Sequence, residues 1–171
     1  MTVMTWIAPE VDRREGSLVA QEREMLQGYL TWFRESMLMK FAGLTGEQLA
    51  QRSVPPSAMS LLGLIRHMAK VERTWFRIRF AGQPVAPLHA GKDIDFDEVA
   101  PEDAEREYAL LIEEMRLADE AVAEASLDDR FVHNDEEYSL RLIYQHVIGE
   151  YARHTGHADF LREQIDGLTG A

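Results

Sequence analysis

Apolar residues in this chain recur at three- and four-residue intervals over four long stretches, and no segment sustains the alternation of a strand. That period is what a helix needs to bury one stripe of its surface, so the expected fold is all-α. In the first stretch Leu18, Met25, Leu26, Tyr29, Leu30, Phe33 and Met37 mark a helix over about 18–41, with Ser17 as its cap. Thr45 and Gln48 have capping-box spacing and open one short turn ending near Gln51. After the break imposed by Pro55-Pro56, Ser60 caps a helix over 60–81. Its apolar face carries Leu61, Leu64, Ile65, Met68, Val71, Trp75 and Ile78, and Gly82 ends it. Pro101 and the acids after it start a third helix, running to about 125, with Tyr108, Leu111, Ile112, Met115, Ala118 and Val122 on one side. Ser139 caps the fourth, 139–166, which ends at Gly167.

Four such helices predict a four-helix bundle in a single domain, 1–171, with no sheet beyond one stray pair of strands. Residues 1–16 read as an irregular segment, with Trp6 and Ile7 tucked onto the body or part of a frayed end. Residues 82–100 form a long connection between helices 2 and 3, whose length leaves simple up-and-down order open. Its acidic run, Asp93 to Glu98, reads as a solvated loop, since it lacks the glycine and terminal glutamate spacing of a calcium-binding EF-hand. Residues 126–138 read as a second loop.

Composition matters for what it removes. The chain has no cysteine, which excludes disulfides, thiolate metal sites, iron–sulfur clusters and a cysteine nucleophile. A net charge of −12, from 18 Lys+Arg against 30 Asp+Glu, repels phosphate backbones. The scattered Arg73, Arg77 and Arg79 make no basic patch, so no nucleic-acid partner is expected. No apolar run approaches the ~18–20 residues that cross a bilayer. The first sixteen residues lack the basic and apolar regions of a signal peptide, so no membrane partner and a cytoplasmic location are expected.

Six histidines remain to be placed. His89 and His133 fall in loops and read as solvated. The fourth helix carries His146, Glu150, His154 and His157 within an arc of about 80°, on the side of Ile143 and Leu161, at roughly 100° per residue. A glutamate buried there without compensation costs several kcal/mol, and a divalent cation is an economical compensation. Both His146–Glu150 and Glu150–His154 have the four-residue spacing that lets two side chains share one ion, and spacing does not choose between them. His67, the one histidine of the second helix, lies between Leu64 and Val71 and can complete a three-ligand set with open positions, as catalytic metals have. The plainer readings are a hydrogen-bonded core histidine at 67, a Glu150–His154 helical pair, and His146 and His157 as pocket walls. Arg153 falls at the edge of the arc, where it orients an anionic substrate group or forms a surface ion pair.

Two stretches resemble a known family. Ser60-Leu-Leu-Gly-Leu-Ile-Arg-His67-Met-Ala-Lys-Val-Glu72-Arg-Thr-Trp-Phe76 resembles the second helix of the DinB-like superfamily. Ser139-Leu-Arg-Leu-Ile-Tyr-Gln-His-Val-Ile-Gly-Glu150-Tyr-Ala-Arg-His154-Thr-Gly-His157-Ala-Asp-Phe-Leu-Arg162-Glu resembles its last helix. The subgroup to which the chain is most similar is the actinobacterial one labelled mini-circle proteins, related to mycothiol-dependent maleylpyruvate isomerase. The resemblance implies a four-helix bundle with a metal, zinc or nickel, held by three side chains. The superfamily's common His-x₃-His of the last helix is here Glu-x₃-His, as in the isomerase branch. The resemblance therefore selects His67, Glu150 and His154 as ligands and leaves His146, His157 and Arg153 as pocket neighbours.

It also implies a thiol S-transferase or isomerase, in which the metal activates a low-molecular-weight thiol, mycothiol ahead of bacillithiol, for attack on a small electrophile. The absence of cysteine agrees with a thiol supplied from outside. Dimers are common in the superfamily, so a homodimer is expected. The alternatives are a thiol-independent metal hydrolase and a non-catalytic stress-response bundle that binds or dimerises.

Overall fold

A computed structural model of the protein describes residues 5–170. The expectation for residues 1–4 lies outside that range. The architecture is a helical bundle of α1 (Glu22–Met39), α2 (Gly46–Ala50), α3 (Leu61–Glu72), α4 (Ile94–Asp97), α5 (Ala104–Ala121) and α6 (Leu140–Asp166), with one antiparallel hairpin of β1 (Arg130–His133) and β2 (Glu136–Ser139). α3 continues without a break into a π-helical segment, Arg73–Phe80. α1 packs on α6, and α3 packs on both α5 and α6. Leu30, Met37, Leu64, Ile65, Met68, Leu111, Ala118, Ile143 and Val147 form the core between them. No helix among the described residues is long and apolar enough to cross a membrane.

Three of the expected caps form. The Ser60 hydroxyl accepts from Gly63 N–H, the Ser139 hydroxyl from Leu142 N–H, and Thr45 and Gln48 close a reciprocal capping box. Ser17 does not cap: its hydroxyl accepts from Val19 N–H, a local turn that competes with the helix. α1 therefore starts four residues later than expected, and Leu18, expected in the stripe, is exposed. α5 stops at Ala121, short of the expected 125. The Arg23 guanidinium donates to the carbonyls of Val122 and Ala125, satisfying them without a further helical turn.

The 126–138 segment is more ordered than a loop. Asn134 and Asp135 both have positive φ, 52° and 63°, the conformation that a tight hairpin turn demands, and Asn and Asp tolerate it best after glycine. The single pair of strands stays within what periodicity allowed. The N-terminal segment is held by Trp6, which meets Tyr108 at 5.7 Å, and by buried Ala8, whereas Ile7 is exposed and only its backbone bridges to Thr45.

The acidic run corrects the reading of a solvated loop. Asp93 takes a left-handed φ of 60° and opens α4, in which Asp95 is buried and Phe96 packs against the core. Phe96 lies directly over Gly63: a Cβ there would sit 2.9 Å from Phe96 Cδ1. Glycine is thus required for α4 to approach α3. Gly63→Val is expected to destabilise the protein by about 1–3 kcal/mol through overpacking. Urea unfolding measures this, and an unchanged midpoint would show that α4 has room to move.

Candidate metal centre

α3 and α6 face each other across the seam where the histidines meet. His67 and His154 lie ring to ring with centroids 4.6 Å apart. Glu150, one turn before His154, places Oε2 3.4 Å from His154 Nε2 and 3.7 Å from His67 Nε2. One donor atom from each of His67, Glu150 and His154 lies within 4.8 Å of the others, a group able to hold one ion. Tertiary packing thereby separates the two pairs that spacing left equal: Glu150 lies against His154. His146 instead lies against Trp75, with ring centroids 4.3 Å apart and planes tilted by 54°.

The chemistry around each donor suits a cation. His67 Nδ1 is 2.7 Å from Asp95 Oδ2, an acceptor when ionised, so Nδ1 is the donor of this pair and Nε2 is the atom turned towards Glu150 and His154. Burial works to raise the Asp95 carboxyl, but the bond to His67, a backbone bond and the Lys70 charge outweigh it and hold the group below the usual carboxylate range. Nε2 of His67 is buried and has no hydrogen-bond partner among the described residues. An orphaned buried ring nitrogen costs about 1–3 kcal/mol, and its aim at Glu150 and His154 fits a group able to hold a cation.

His154 is buried, and burial, followed by the field of His67, pushes its imidazole down to about 4, against the pull of Glu150. The ring is therefore neutral near pH 7, as a ligand must be. Its Nδ1 meets His157 Nδ1 at 3.2 Å, so His157 braces the back of a candidate ligand. Phe96 stacks on His67 at 5.2 Å and covers the α4 side of the group.

Arg153 is largely exposed, with a 4.0 Å approach to Glu150. That places it at the edge of the group, in the manner of a surface ion pair. His133 lies on the hairpin against Tyr138. His89, expected to be solvated, is instead enclosed between Arg66, 3.1 Å from its Nδ1, and Glu107, 3.4 Å from its Nε2. It ties the long connection to α3 and α5.

Sequence reasoning missed Asp95 and His89 because both lie in a connection with no helical period to assign a face. One signal for Asp95 was present: apolar Ile94 and Phe96 interleave with the acids, which a wholly solvated run does not need.

No curated protein and no solved structure matches the chain. A model of the mycothiol-S-transferase family does match, over residues 25–167, a span from α1 to the end of α6 that includes His67, Asp95, Glu150 and His154. By that match, and with the helical bundle and the histidine–carboxylate group in place, this chain belongs to the mycothiol-S-transferase family.

Proposed function

We propose that the protein is a metal-dependent thiol S-transferase in which His67, Glu150 and His154 hold a divalent cation, zinc or nickel, and mycothiol is the thiol. The observation that carries this is the orphaned, buried Nε2 of His67, aimed at a carboxylate and a second imidazole. Two imidazoles and one carboxylate suit such ions. A cation held there supplies Lewis acidity that lowers the pKa of a thiol to give the attacking thiolate.

The chain's own residues do the rest. Asp95 orients His67. Glu150 brings the one negative charge among the three donors. His157 and Phe96 restrict the rotation of the two rings. The protein has no sulfhydryl of its own, so the sulfur arrives with the small molecule. The sulfur gives up its proton to solvent and bonds the electrophilic carbon, and the leaving group departs with the electron pair of its broken bond, so that proton and leaving group together make up the second product. The cytoplasm, where reduced small thiols are kept, is the compartment this reading requires.

The test uses untagged protein, stripped by chelation and then reloaded with Zn²⁺ or Ni²⁺, incubated with mycothiol and an activated haloarene. Loss of free thiol is expected only with reloaded protein. Equal loss in stripped protein and in buffer would overturn the reading.

A further inference from the structure

α3 and α6 run in opposite directions, so rings pair in order along their seam. His67 meets His154 and, eight residues on, Trp75 meets His146. Eight helical residues span roughly 12 Å, with Glu150 between the two ends. At the far end Arg79 lays its guanidinium 4.1 Å over the Trp75 ring, and Tyr138 of β2 closes the corner 6.3 Å from Trp75.

Arg79 stands apart from the other arginines. Arg34, Arg73, Arg77, Arg116 and Arg141 are all paired with carboxylates, as expected in a chain of net charge −12. Arg79 is half-buried, and among the described residues it is the one arginine that forms neither a hydrogen bond nor an ion pair. Burial lowers its pKa, and only Tyr138 acts against that. Its N–H donors are unused by the protein, although a planar fork stacked on an indole is already organised for bidentate contact with an oxyanion. His146, beside it, makes no hydrogen bond among the described residues. Burial first, then the charges of Arg79 and Arg153 against that of Glu150, lowers its pKa.

We propose that Trp75, Arg79 and His146 form an oxyanion subsite at the hairpin end of the α3–α6 seam, which takes a carboxylate carried by the electrophilic co-substrate. The assignment to the electrophile rests on the thiol-transfer reading; the anion site itself does not. Bound there, the carboxylate is held by Arg79, a flat body rests along Trp75 and His146, and the reacting carbon is directed towards Glu150. The protein then selects elongated acidic electrophiles despite its negative surface.

The test is equilibrium dialysis of the full-length protein with 4-chloro-3-nitrobenzoate and with its neutral counterpart 1-chloro-2-nitrobenzene. Wild type should favour the carboxylate. Arg79→Gln should lose about tenfold to hundredfold in carboxylate affinity, the range of a charge-assisted bidentate contact, with binding of the neutral probe unchanged. Arg79→Lys should fall between. An unchanged carboxylate affinity in Arg79→Gln would overturn the subsite, as would an equal fall for both probes or a loss that appears in Arg153→Gln instead. Displacement of the probe by mycothiol would assign the site to the thiol and overturn its assignment to the electrophile. Arg79-dependent binding without thiol consumption would leave the subsite standing and refute the transferase. Thiol transfer to the carboxylate electrophile with the same KM in Arg79→Gln would do the reverse.

Discussion

Replacing His67, Glu150 or His154 singly with alanine should abolish metal retention through dialysis, while His133→Ala retains the ion. A structural zinc with four ligands is bound by about 10–16 kcal/mol, so one ligand accounts for roughly 3 kcal/mol, or more than a hundredfold in affinity. Losing one of three donors leaves two, too few to compete with water and buffer. Asp95→Ala should act through His67 and cost less, about tenfold to hundredfold in affinity, as removal of a partner behind a ligating histidine does. The chain then keeps its three candidate ligands but loses the 2.7 Å contact that orients His67. Elemental analysis of untagged protein and competition with a chelating dye measure both effects. If Glu150→Ala binds zinc as tightly as wild type, the carboxylate is not a ligand and its approach to the two imidazoles is a helical pairing.

The second large effect lies in the core. Arg34 of α1 donates from Nε and Nη2 to the two oxygens of Glu72, at 2.7 and 2.8 Å, and from Nη1 to Asp119. Tyr151 Oη donates to Glu72 Oε1 at 2.8 Å. Glu72 and Tyr151 are fully buried and Arg34 is 5% exposed. Burial opposes the charge on Arg34, but Glu72 outweighs it and holds the guanidinium above its usual pKa. Burial, then the Glu72 charge, raises the Tyr151 phenol well above its ordinary value, so it stays a donor. The network clamps α1, α3, α5 and α6 near the residues that carry the metal candidates, since Tyr151 follows Glu150. Arg34→Met leaves Glu72 buried without its guanidinium partner, with only the Tyr151 hydroxyl donating to it, and should cost about 3–5 kcal/mol. At 2–4 °C per kcal/mol for a chain of this size, Tm falls by roughly 6–20 °C. The double variant Arg34→Met/Glu72→Met should recover part of that loss, because a buried ion pair replaced by apolar groups of similar volume is close to neutral, whereas the Tyr151 hydroxyl then loses its acceptor. Calorimetry decides, and a double variant as unstable as Arg34→Met would show that the loss comes from packing rather than charge.

Arg34 also shows how far a single sequence carries. It sits four residues after Leu30 and three before Met37, on the buried face of α1, so its position was legible although its role was not. Periodicity identifies a face, but it does not say which charged residue of another helix arrives there. The same holds for His67: its place on an apolar face was legible, and its partner across the seam was an expectation from resemblance. For Asp95 even the face was hidden, because a four-residue helix has too few turns to show a stripe.

By itself the sequence determined the helical class, the caps at Thr45, Ser60 and Ser139, and the sharing of one α6 face by His146, Glu150, His154 and His157. All of these are local, set by 100° steps and by side chains reaching three or four residues along the chain. Only the tertiary structure decided that Glu150 pairs with His154 and not His146, that Asp95 stands behind His67, and that Arg79 is left without an acid among the described residues. Each of those depends on the register of α3 against α6, or on the path of the 82–100 connection. Many weak packing contacts sum to set both, and no short-range pattern in the chain encodes them.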